Sequence, residues 1–256
     1  MNTPDEYYEK YWSLEGFYPH GNIWPELSAL YSKWIPAGSS VLDVGCGDGQ
    51  TSGKWLSENG MKYVGVDISA NAVEEAIRSG LEAIKIKDAS ALPFPAGSFD
   101  VAVCIEVLEH LFDPQGTIKD IIRVLKPGGI LIATVPNTVY WRNRADFFLL
   151  GRWNPLGDTF SVKQPWRDPH IRFFTFSSIC RLVGECDLSL LHIGGQSGGL
   201  LKAIPFLRRF SKKNSSLIYR LLERMWPSVF GYRIEIVCRK IINEQTVCLN
   251  QEMPFD

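Results

Sequence analysis

The sequence predicts an α/β fold with a mostly parallel sheet, and the alternation of two residue patterns is the main observation behind this prediction. Short apolar runs typical of buried strands alternate with stretches in which apolar residues recur at helical spacing. Strands that alternate with helices are joined by crossovers, so they form a parallel sheet covered by helices. The predicted strands are 40–44, 63–66, 82–86, 101–105, 130–135, 188–193 and 232–239.

Helix boundaries support this order. One predicted helix follows Ser69 and stops at Gly80, a residue suited to a left-handed C-terminal position. In 118–125, isoleucine and leucine recur at i, i+3, i+4 and i+7, and the KPGG sequence at 126–129 ends that helix. The segment 232–239 alternates like a strand with one wetter face, so we expect one late strand beside the parallel set.

Two insertions interrupt the alternation. Residues 138–170 are rich in aromatic, polar and turn residues, and 197–226 are basic and amphipathic. We therefore interpret 1–240 as a single domain with helices on both faces of its sheet. Its core is 35–137 and 171–240, its cap insertions are about 138–170 and 197–226, and its C-terminal tail is 241–256.

The composition excludes several classes of protein. Of 256 residues, 45% are hydrophobic and 21% are charged, which excludes collagen-like, coiled-coil and largely disordered chains. No apolar run reaches the roughly 18 residues that a membrane-spanning helix needs. The N-terminal sequence MNTPDEYYEK is acidic and polar, unlike a secretory signal, and the six cysteines include no CxxC pair. We therefore expect a cytoplasmic protein with reduced thiols.

Charge is distributed unevenly along the chain. Residues 1–140 carry 10 Lys and Arg against 18 Asp and Glu, whereas 141–256 carry 17 against 10. The segment 200–226 combines seven Lys and Arg with one Glu and many large apolar residues. This pattern predicts peripheral contact with an anionic membrane, although a solvated helix pair at the sheet edge is the simpler alternative. Nucleic acid is a less favoured partner because no recognised binding signature accompanies the charge.

A glycine-rich loop follows the first predicted strand. Its pattern is D-x-G-x-G-x-G, in which Gly45, Gly47 and Gly49 allow positive φ angles and close approach of a ligand. A dinucleotide-binding G-x-G-x-x-G pattern that began at Gly45 would need glycine at position 50, which is glutamine. Asp43 in the preceding strand would repel a pyrophosphate, but it suits a ligand that carries an ammonium group.

Two further acids follow the next two predicted strands. Asp67 comes about 20 residues after the loop, the spacing expected of a carboxylate that accepts ribose hydroxyls. Asp88 is placed to accept from the exocyclic amine of an adenine. Taken alone, Asp67 is also explained as a helix cap and Asp88 as a turn residue. Together with Asp43, they outline a ligand with ribose, adenine and cationic parts but no phosphate, and S-adenosylmethionine is such a ligand.

Four segments carry a family resemblance. VLDVGCGDG, GVDIS, DASALPFPAGSFDVAVCIEVLEHL and RVLKPGGILIATVPN resemble, in order and spacing, the class I S-adenosylmethionine-dependent methyltransferases, and among these the type 11 small-molecule group. The resemblance covers about 35–137. It implies a Rossmann-like, seven-stranded sheet with an antiparallel last strand and the cofactor across the strand C-termini. The cofactor-binding residues that we predict are Asp43, Gly45, Cys46, Gly47, Gly49, Asp67, Ile68, Asp88, Ala89 and Ile105.

An E-x-x-E-H sequence follows the fourth predicted strand. On a helix, Glu106, Glu109 and His110 would project from one face. The spacing resembles the Glu-Glu-His cluster of ubiquinone-pathway O-methyltransferases and small-RNA 2′-O-methyltransferases, which hold a divalent ion. We therefore predict these three as catalytic residues and as ligands of Mg²⁺ or Zn²⁺, with His170 as a fourth ligand or a base. Catalysis by His110 without a metal, or simply solvated carboxylates, remain alternatives.

The acceptor side is expected to be aromatic and dry, because positive charge is lost when a methyl group leaves a sulfonium. Candidates for an anionic group on the acceptor are Arg142, Arg144 and Arg172, which are otherwise surface residues. The aromatic cap candidates are Tyr7, Tyr8, Tyr11, Trp12, Tyr18, Trp141, Trp153 and Trp166.

These features together predict an S-adenosylmethionine-dependent methyltransferase. The expected reaction is O-methylation of a hydroxyl on a small molecule, such as a sugar, a lipid-linked intermediate or a quinone-like compound. Residues beyond 137 also resemble the MetW-like proteins, which leaves a regulatory partner that keeps the methyltransferase fold as an alternative. An RNA 2′-O-methyltransferase is the second alternative.

Overall fold

A computed structural model of the protein describes residues 4–13, 23–152, 169–197, 221 and 225–242. Within these residues, seven strands form one sheet in the order β3-β2-β1-β4-β5-β7-β6. The strands are β1 Ser40–Val44, β2 Lys62–Asp67, β3 Ala83–Lys85, β4 Phe99–Ile105, β5 Leu125–Pro136, β6 Leu188–Ser197 and β7 Gly231–Lys240.

The sheet confirms the predicted α/β class and mostly parallel arrangement. Strands β1 to β5 pair in parallel, whereas β7 lies antiparallel between β5 and β6. The strand order changes direction at β1, with β2 and β3 on one side and β4 and β5 on the other. Ligands of open α/β sheets bind outside the C-terminal strand ends at such a point. The ends of β1 and β4 therefore mark the position of the candidate site.

Helices cover both faces of the sheet. Val41 and Leu42 belong to two different apolar clusters, and successive strand residues point to opposite faces. Tyr31 and Leu56 pack on the face of Val41, and Ile121 and Ile179 on the face of Leu42. The helices are α1 Pro4–Ser13, α2 Pro25–Trp34, α3 Gly53–Glu58, α4 Ala70–Arg78, α5 Pro114–Val124, α6 Trp141–Leu150, α7 Phe176–Gly184 and α8 Pro227–Phe230.

Two strands, β5 and β6, extend well beyond the bounds that the sequence predicts. The strand predicted at 130–135 begins at Leu125, directly after α5, so the KPGG residues belong to the strand rather than to a loop. Its pairing with β4 shifts register between Phe99 and Val101, which accommodates the extra residues. The strand predicted at 188–193 continues to Ser197 because it stays paired with β7.

Several predictions concern residues outside the described part. These are the cap residues 153–168, the insertion 198–220 with 222–224, the tail residues 243–256, and the side chains of Tyr11, Tyr18, Trp153 and Trp166. In the described part of the first insertion, α6 begins four residues after β5 ends. Among the described helices, none has the length and apolar character needed to cross a membrane.

Helix α1 docks over the switch point through Glu9. Its carboxylate accepts hydrogen bonds from the backbone N–H groups of Ala70 and Asn71, at 2.6 and 3.1 Å, and from the Ser69 hydroxyl at 3.0 Å. The Lys85 ammonium lies 3.0 Å from the same carboxylate. Partial burial alone would raise the pKa of Glu9, but these donors outweigh it and lower the pKa to about 2. Glu9 therefore caps α4 from another helix.

This contact predicts that Glu9→Ala loosens α1 without unfolding the sheet. Because the folded pKa lies below the ordinary value of 4.5, the contact stabilises docking above that pH and is lost as the pH falls towards 2. Hydrogen exchange read by mass spectrometry should show at least tenfold faster exchange in residues 4–13 of the variant at pH 7. Glu26→Ala, which removes an exposed acid on α2, is the control, and equal exchange in both variants would contradict the assigned role of Glu9.

Candidate cofactor and acceptor site

The glycine-rich loop has the backbone that its sequence predicts. Gly45, Gly47 and Gly49 have φ angles of 76°, 54° and 74°, which side chains of L-residues rarely adopt. The N–H groups of Gly45 and Cys46 both donate to the carbonyl oxygen of Val66, at 2.8 and 3.0 Å. The loop therefore turns from the end of β1 across the end of β2.

Neighbouring side chains press against the loop glycines. A Cβ atom at Gly47 would lie 2.7 Å from the indole ring of Trp12, and one at Gly45 would collide with the methyl groups of Val107. The loop thus lies between α1 and the segment that follows β4. Any ligand that this loop binds would therefore also lie near α1 and the segment that follows β4.

Asp67 joins the loop to the start of α4. At the end of β2, its Oδ2 accepts the Gly47 N–H at 2.9 Å and its Oδ1 accepts the Ser69 N–H at 2.9 Å. Burial raises the pKa of Asp67 and these two N–H donors oppose the rise. Each carboxylate oxygen has a second lone pair, so both remain able to accept ribose hydroxyls.

Asp43 lies deeper, within β1. The Tyr63 hydroxyl donates to its Oδ2 at 3.1 Å, and the side chain is buried. Burial raises the pKa of Asp43 to about 7, and the nearby charge of Asp67 adds to the rise. Two buried acids at adjacent strand ends favour a ligand that brings a positive charge.

The other predicted cofactor residues surround these acids. Ile68 and Ile105 are half-buried at the ends of β2 and β4, and Ala89 packs against the apolar cluster of the sheet. Asp88 is exposed, and its Oδ1 accepts the Ser90 N–H at 2.8 Å. Asp88 therefore occupies a turn beyond β3, which is the alternative that its sequence left open, and its contact with adenine stays a prediction.

The predicted helix that carries Glu106, Glu109 and His110 on one face is wrong. Only a 3₁₀ turn, Leu108–His110, is present, and Glu106 precedes it with a φ angle of 55°. This left-handed residue turns the chain sharply after β4, so that Val107 reaches the glycine loop. Glu106 consequently shares no helical face with Glu109 and His110.

The carboxylate of Glu106 has partners of its own. Thr134 donates its hydroxyl to Oε1 at 3.0 Å, and the Nε atom of Arg233 lies 3.1 Å from Oε2. The guanidinium of Arg233 lies 4.5 Å from the ring centre of Trp24 and 5.1 Å from that of Tyr232. Burial alone would lower the pKa of Arg233, but the charge of Glu106 outweighs it and the pKa is raised.

His170 takes the place of Glu106 beside Glu109 and His110. The carboxylate of Glu109 lies 3.6 Å from Nε2 of His170 and 3.8 Å from Nε2 of His110, and the two imidazole rings stack at 4.7 Å. The carbonyl oxygen of Glu109 accepts the N–H groups of Ile171 and Arg172, which fixes the His170 segment here. The expectation that His170 joins this cluster is therefore matched by the geometry.

The cluster brings together three residues of types that can ligate a cation. Ligand atoms of Glu109, His110 and His170 all lie within 4.8 Å of one another. Both carboxylate oxygens of Glu109 are buried, and neither accepts a hydrogen bond from a residue that the structure describes. Burial raises the pKa of Glu109, and the nearby histidines oppose the rise. Ligand atoms around a zinc ion lie about 3–3.5 Å apart, which is closer than the spacing in this cluster, so its binding of an ion stays a prediction.

Aromatic side chains of α1 lie over both parts of the site. The ring of Tyr8 meets that of His110 edge-on at 6.1 Å, and Tyr7 packs edge-on against Tyr8. Trp12 covers the glycine loop, as described above. The fourth cap candidate in the described residues, Trp141, begins α6 with its indole nitrogen buried.

Sequence reasoning missed three residues of the site. Glu9 lies in an acidic segment without a motif, and Arg233 and Trp24 have no neighbours in the chain that indicate a partner. Each acts through contacts between segments far apart in the chain. Only the pairing of β7 with β5 brings Arg233 to the ends of the parallel strands.

Comparison with known proteins shows the family of the chain. A family described as methyltransferase domains matches residues 20–193. A ubiquinone biosynthesis O-methyltransferase of Albidiferax ferrireducens is 35% identical over 219 residues, which cover 78% of this chain and 79% of that protein. A tRNA (carboxymethyluridine(34)-5-O)-methyltransferase of Arabidopsis thaliana is 32% identical over 168 residues, 61% of this chain and 39% of that protein.

Among solved structures, phosphoethanolamine N-methyltransferase 2 of Haemonchus contortus, in complex with S-adenosyl-L-methionine, matches with a TM-score of 0.59 and 19% identity. The match covers 93% of this chain and 57% of that one. The chain spans only 35% to 65% of the length of several curated relatives that it matches. On its family match, its fold and its strand-end site, the chain belongs to the class I S-adenosylmethionine-dependent methyltransferases.

Proposed function

We propose that this protein transfers a methyl group from S-adenosylmethionine to a hydroxyl oxygen of a small molecule, of the sugar, lipid-linked or quinone-like kind. The observation that carries the proposal is the position of the Glu109, His110 and His170 cluster. It follows Val107, which packs on the glycine loop, so a general base lies next to the methyl donor. The O-methyltransferases among the relatives support transfer to oxygen.

The residues of the site have different roles in an in-line displacement. The donor supplies an electrophilic methyl on a sulfonium, and catalysis depends mainly on holding the acceptor oxygen about 3–3.5 Å away. Asp67 and Asp43 hold the ribose and the cationic end of the donor. Tyr8 and Trp12 exclude water, and an imidazole of His110 or His170 removes the hydroxyl proton.

A divalent ion held by Glu109, His110 and His170 would lower the pKa of the acceptor hydroxyl, as zinc lowers that of bound water to about 7. Two imidazoles and one carboxylate favour zinc or a similar transition metal over magnesium, which prefers oxygen ligands. Glu106 is bound to Thr134 and Arg233 and is not part of this proposed ligand set.

Peripheral contact with an anionic membrane is a second part of the proposal, and α6 supports it. Phe148 and Leu149 at its end are 87% and 72% exposed, and Phe147 and Leu150 beside them are also exposed. Exposed apolar runs of this length are rare in soluble proteins unless they bind something. Exposed arginines flank the run at Arg144 and Arg152, the arrangement expected of a segment that lies on anionic lipid.

Two alternative functions predict different experimental results. A regulatory partner that keeps the fold would bind the cofactor and a second protein without methylating any acceptor. An RNA methyltransferase, a possibility strengthened by the tRNA-modifying relative, would bind RNA with a steep dependence on salt. Transfer of labelled methyl groups into a small-molecule extract, but not into RNA, is the result that our proposal predicts.

Asp67→Ala should weaken binding of S-adenosylmethionine at least tenfold in calorimetry, because charge-assisted hydrogen bonds to the ribose are lost. Glu82→Ala removes an exposed acid just before β3, outside the predicted site, and serves as the control. An Asp67→Ala variant that binds as tightly as the unaltered protein would rule out the ribose assignment.

Metal binding distinguishes the two acids of the E-x-x-E-H sequence. Zn²⁺ titrated into the chain should bind at one site, Glu109→Gln should weaken binding at least tenfold, and Glu106→Gln should change it little. Dependence on Glu106 rather than Glu109 would contradict the observed grouping. Methyl transfer at the full rate after removal of all metal by a chelator would leave His110 or His170 acting as a simple base.

Replacement of Phe148 by serine should reduce sedimentation with vesicles that contain phosphatidylglycerol at least threefold, because an inserted aromatic ring is lost. Ile77→Ser alters an exposed apolar residue on α4 and should have no effect. Equal binding to vesicles of phosphatidylcholine alone, or no binding by the unaltered protein, would exclude the membrane proposal.

A further inference from the structure

Arg233 lies at the edge of the sheet where the site is built. In the antiparallel pairing of β5 with β7, Arg233 lies opposite Pro136, the last residue of β5. Strands β4 and β5 run in parallel, so this position is also near the end of β4, where Glu106 follows. Along β7, Arg233 shares a face with Val237, which packs in the cluster beneath α2. Arg233 is therefore between α2 and the ends of β4 and β5.

The guanidinium of Arg233 is held rigidly by one polar contact and two rings. Its Nε atom lies 3.1 Å from Oε2 of Glu106, while Trp24 and Tyr232 lie within 5.1 Å of its central carbon. Glu106 is itself fixed by the hydroxyl of Thr134 and by its left-handed backbone, a conformation that non-glycine residues rarely adopt. The arginine is thus positioned before any ligand arrives.

Most of the hydrogen-bonding capacity of Arg233 is unused. A guanidinium has five N–H donors. The Nε atom lies 3.1 Å from Oε2 of Glu106 as an ion pair, but its N–H forms no hydrogen bond with a described residue. Among the described residues, no hydrogen bond involves its two terminal amino groups, although only 27% of the side chain is exposed. Leaving donors of a largely buried cation unpaired is costly, so a ligand that accepts from them would bind favourably.

The three arginines considered from sequence lie in different surroundings. Arg172 donates to the carbonyl oxygens of Phe112 and Ile171, and Arg144 donates to that of Val139. Arg142 lies 4.0 Å from Asp146 on its own helix. Arg142 and Arg144 are exposed, so water can satisfy their terminal donors. Within the described residues, Arg233 alone among these four is largely buried at the strand ends with terminal donors that have no protein partner.

We propose that Arg233 binds a carboxylate or phosphate group of the methyl acceptor through its terminal amino groups, with Glu106 as the residue that positions it. Two parallel N–H groups match the two oxygens of such an anion, which lysine cannot reproduce. The flanking rings of Trp24 and Tyr232 suit an anion attached to a planar apolar body. The acceptor would then be held at its anionic group while its hydroxyl meets the Glu109, His110 and His170 cluster.

This inference rests on the proposed transfer to a small acceptor, but a binding measurement tests it without methyl transfer. The protein is saturated with S-adenosylhomocysteine and titrated with benzoate, with phenyl phosphate and with the neutral isostere benzyl alcohol. We expect at least one of the two anions to bind tenfold or more tightly than the alcohol. Tighter binding of phenyl phosphate than of benzoate indicates an acceptor with a phosphate group. Tighter binding of benzoate indicates an acceptor with a carboxylate.

Variants of Arg233 test whether this residue binds the anion. Arg233→Met should abolish the tenfold preference for the anion over the alcohol. Arg233→Lys should weaken binding of the preferred anion at least threefold. Arg78→Met alters an exposed arginine and should change neither the preference nor the affinity for the anion. Retained affinity for S-adenosylhomocysteine shows that each variant is folded, and Arg233→Lys decides the question if the methionine variant is not. Equal affinity for the anions and the alcohol, or undiminished anion binding by Arg233→Lys, would overturn the proposal.

Discussion

The site depends on the carboxylate of Asp67, which joins two segments that the fold would otherwise leave separate. One oxygen receives the Gly47 N–H from the loop after β1, and the other receives the Ser69 N–H at the start of α4. Because the loop glycines have positive φ angles, the loop can approach this carboxylate closely. The result is a rigid, acidic edge at the position where strand order reverses, and helix α1 closes it from above.

Opposite charges are arranged along this edge in a definite order. Asp43 and Asp67 are buried beside the glycine loop, where they favour a cationic donor. Further along, Glu109 is surrounded by two imidazoles, and Glu106 faces Arg233. The left-handed backbone of Glu106 thereby gives two acids that are only three positions apart different partners, the two imidazoles for Glu109 and the guanidinium of Arg233 for Glu106.

The sequence predicts those parts of the site that are local in the chain. The glycine spacing, the acid at the end of β2 and the parallel strands follow from patterns of a few residues, and the structure has them where they were expected. The spacing of Glu106 and Glu109 was interpreted wrongly as helical, because a single left-handed residue leaves no trace in an apolar or charged periodicity. Glu9, Trp24 and Arg233 were not recognised because their roles arise only when distant segments pack together.

The central claim is that the strand-end acids bind the adenosyl part of the methyl donor, and a crystal structure of the protein with S-adenosylhomocysteine tests it most directly. The account predicts both ribose hydroxyls within hydrogen-bond distance of Asp67, and the amino-acid end of the ligand along the glycine loop beside Asp43. A ligand whose ribose lies away from Asp67, or one bound outside the crevice between the ends of β1 and β4, would contradict the account.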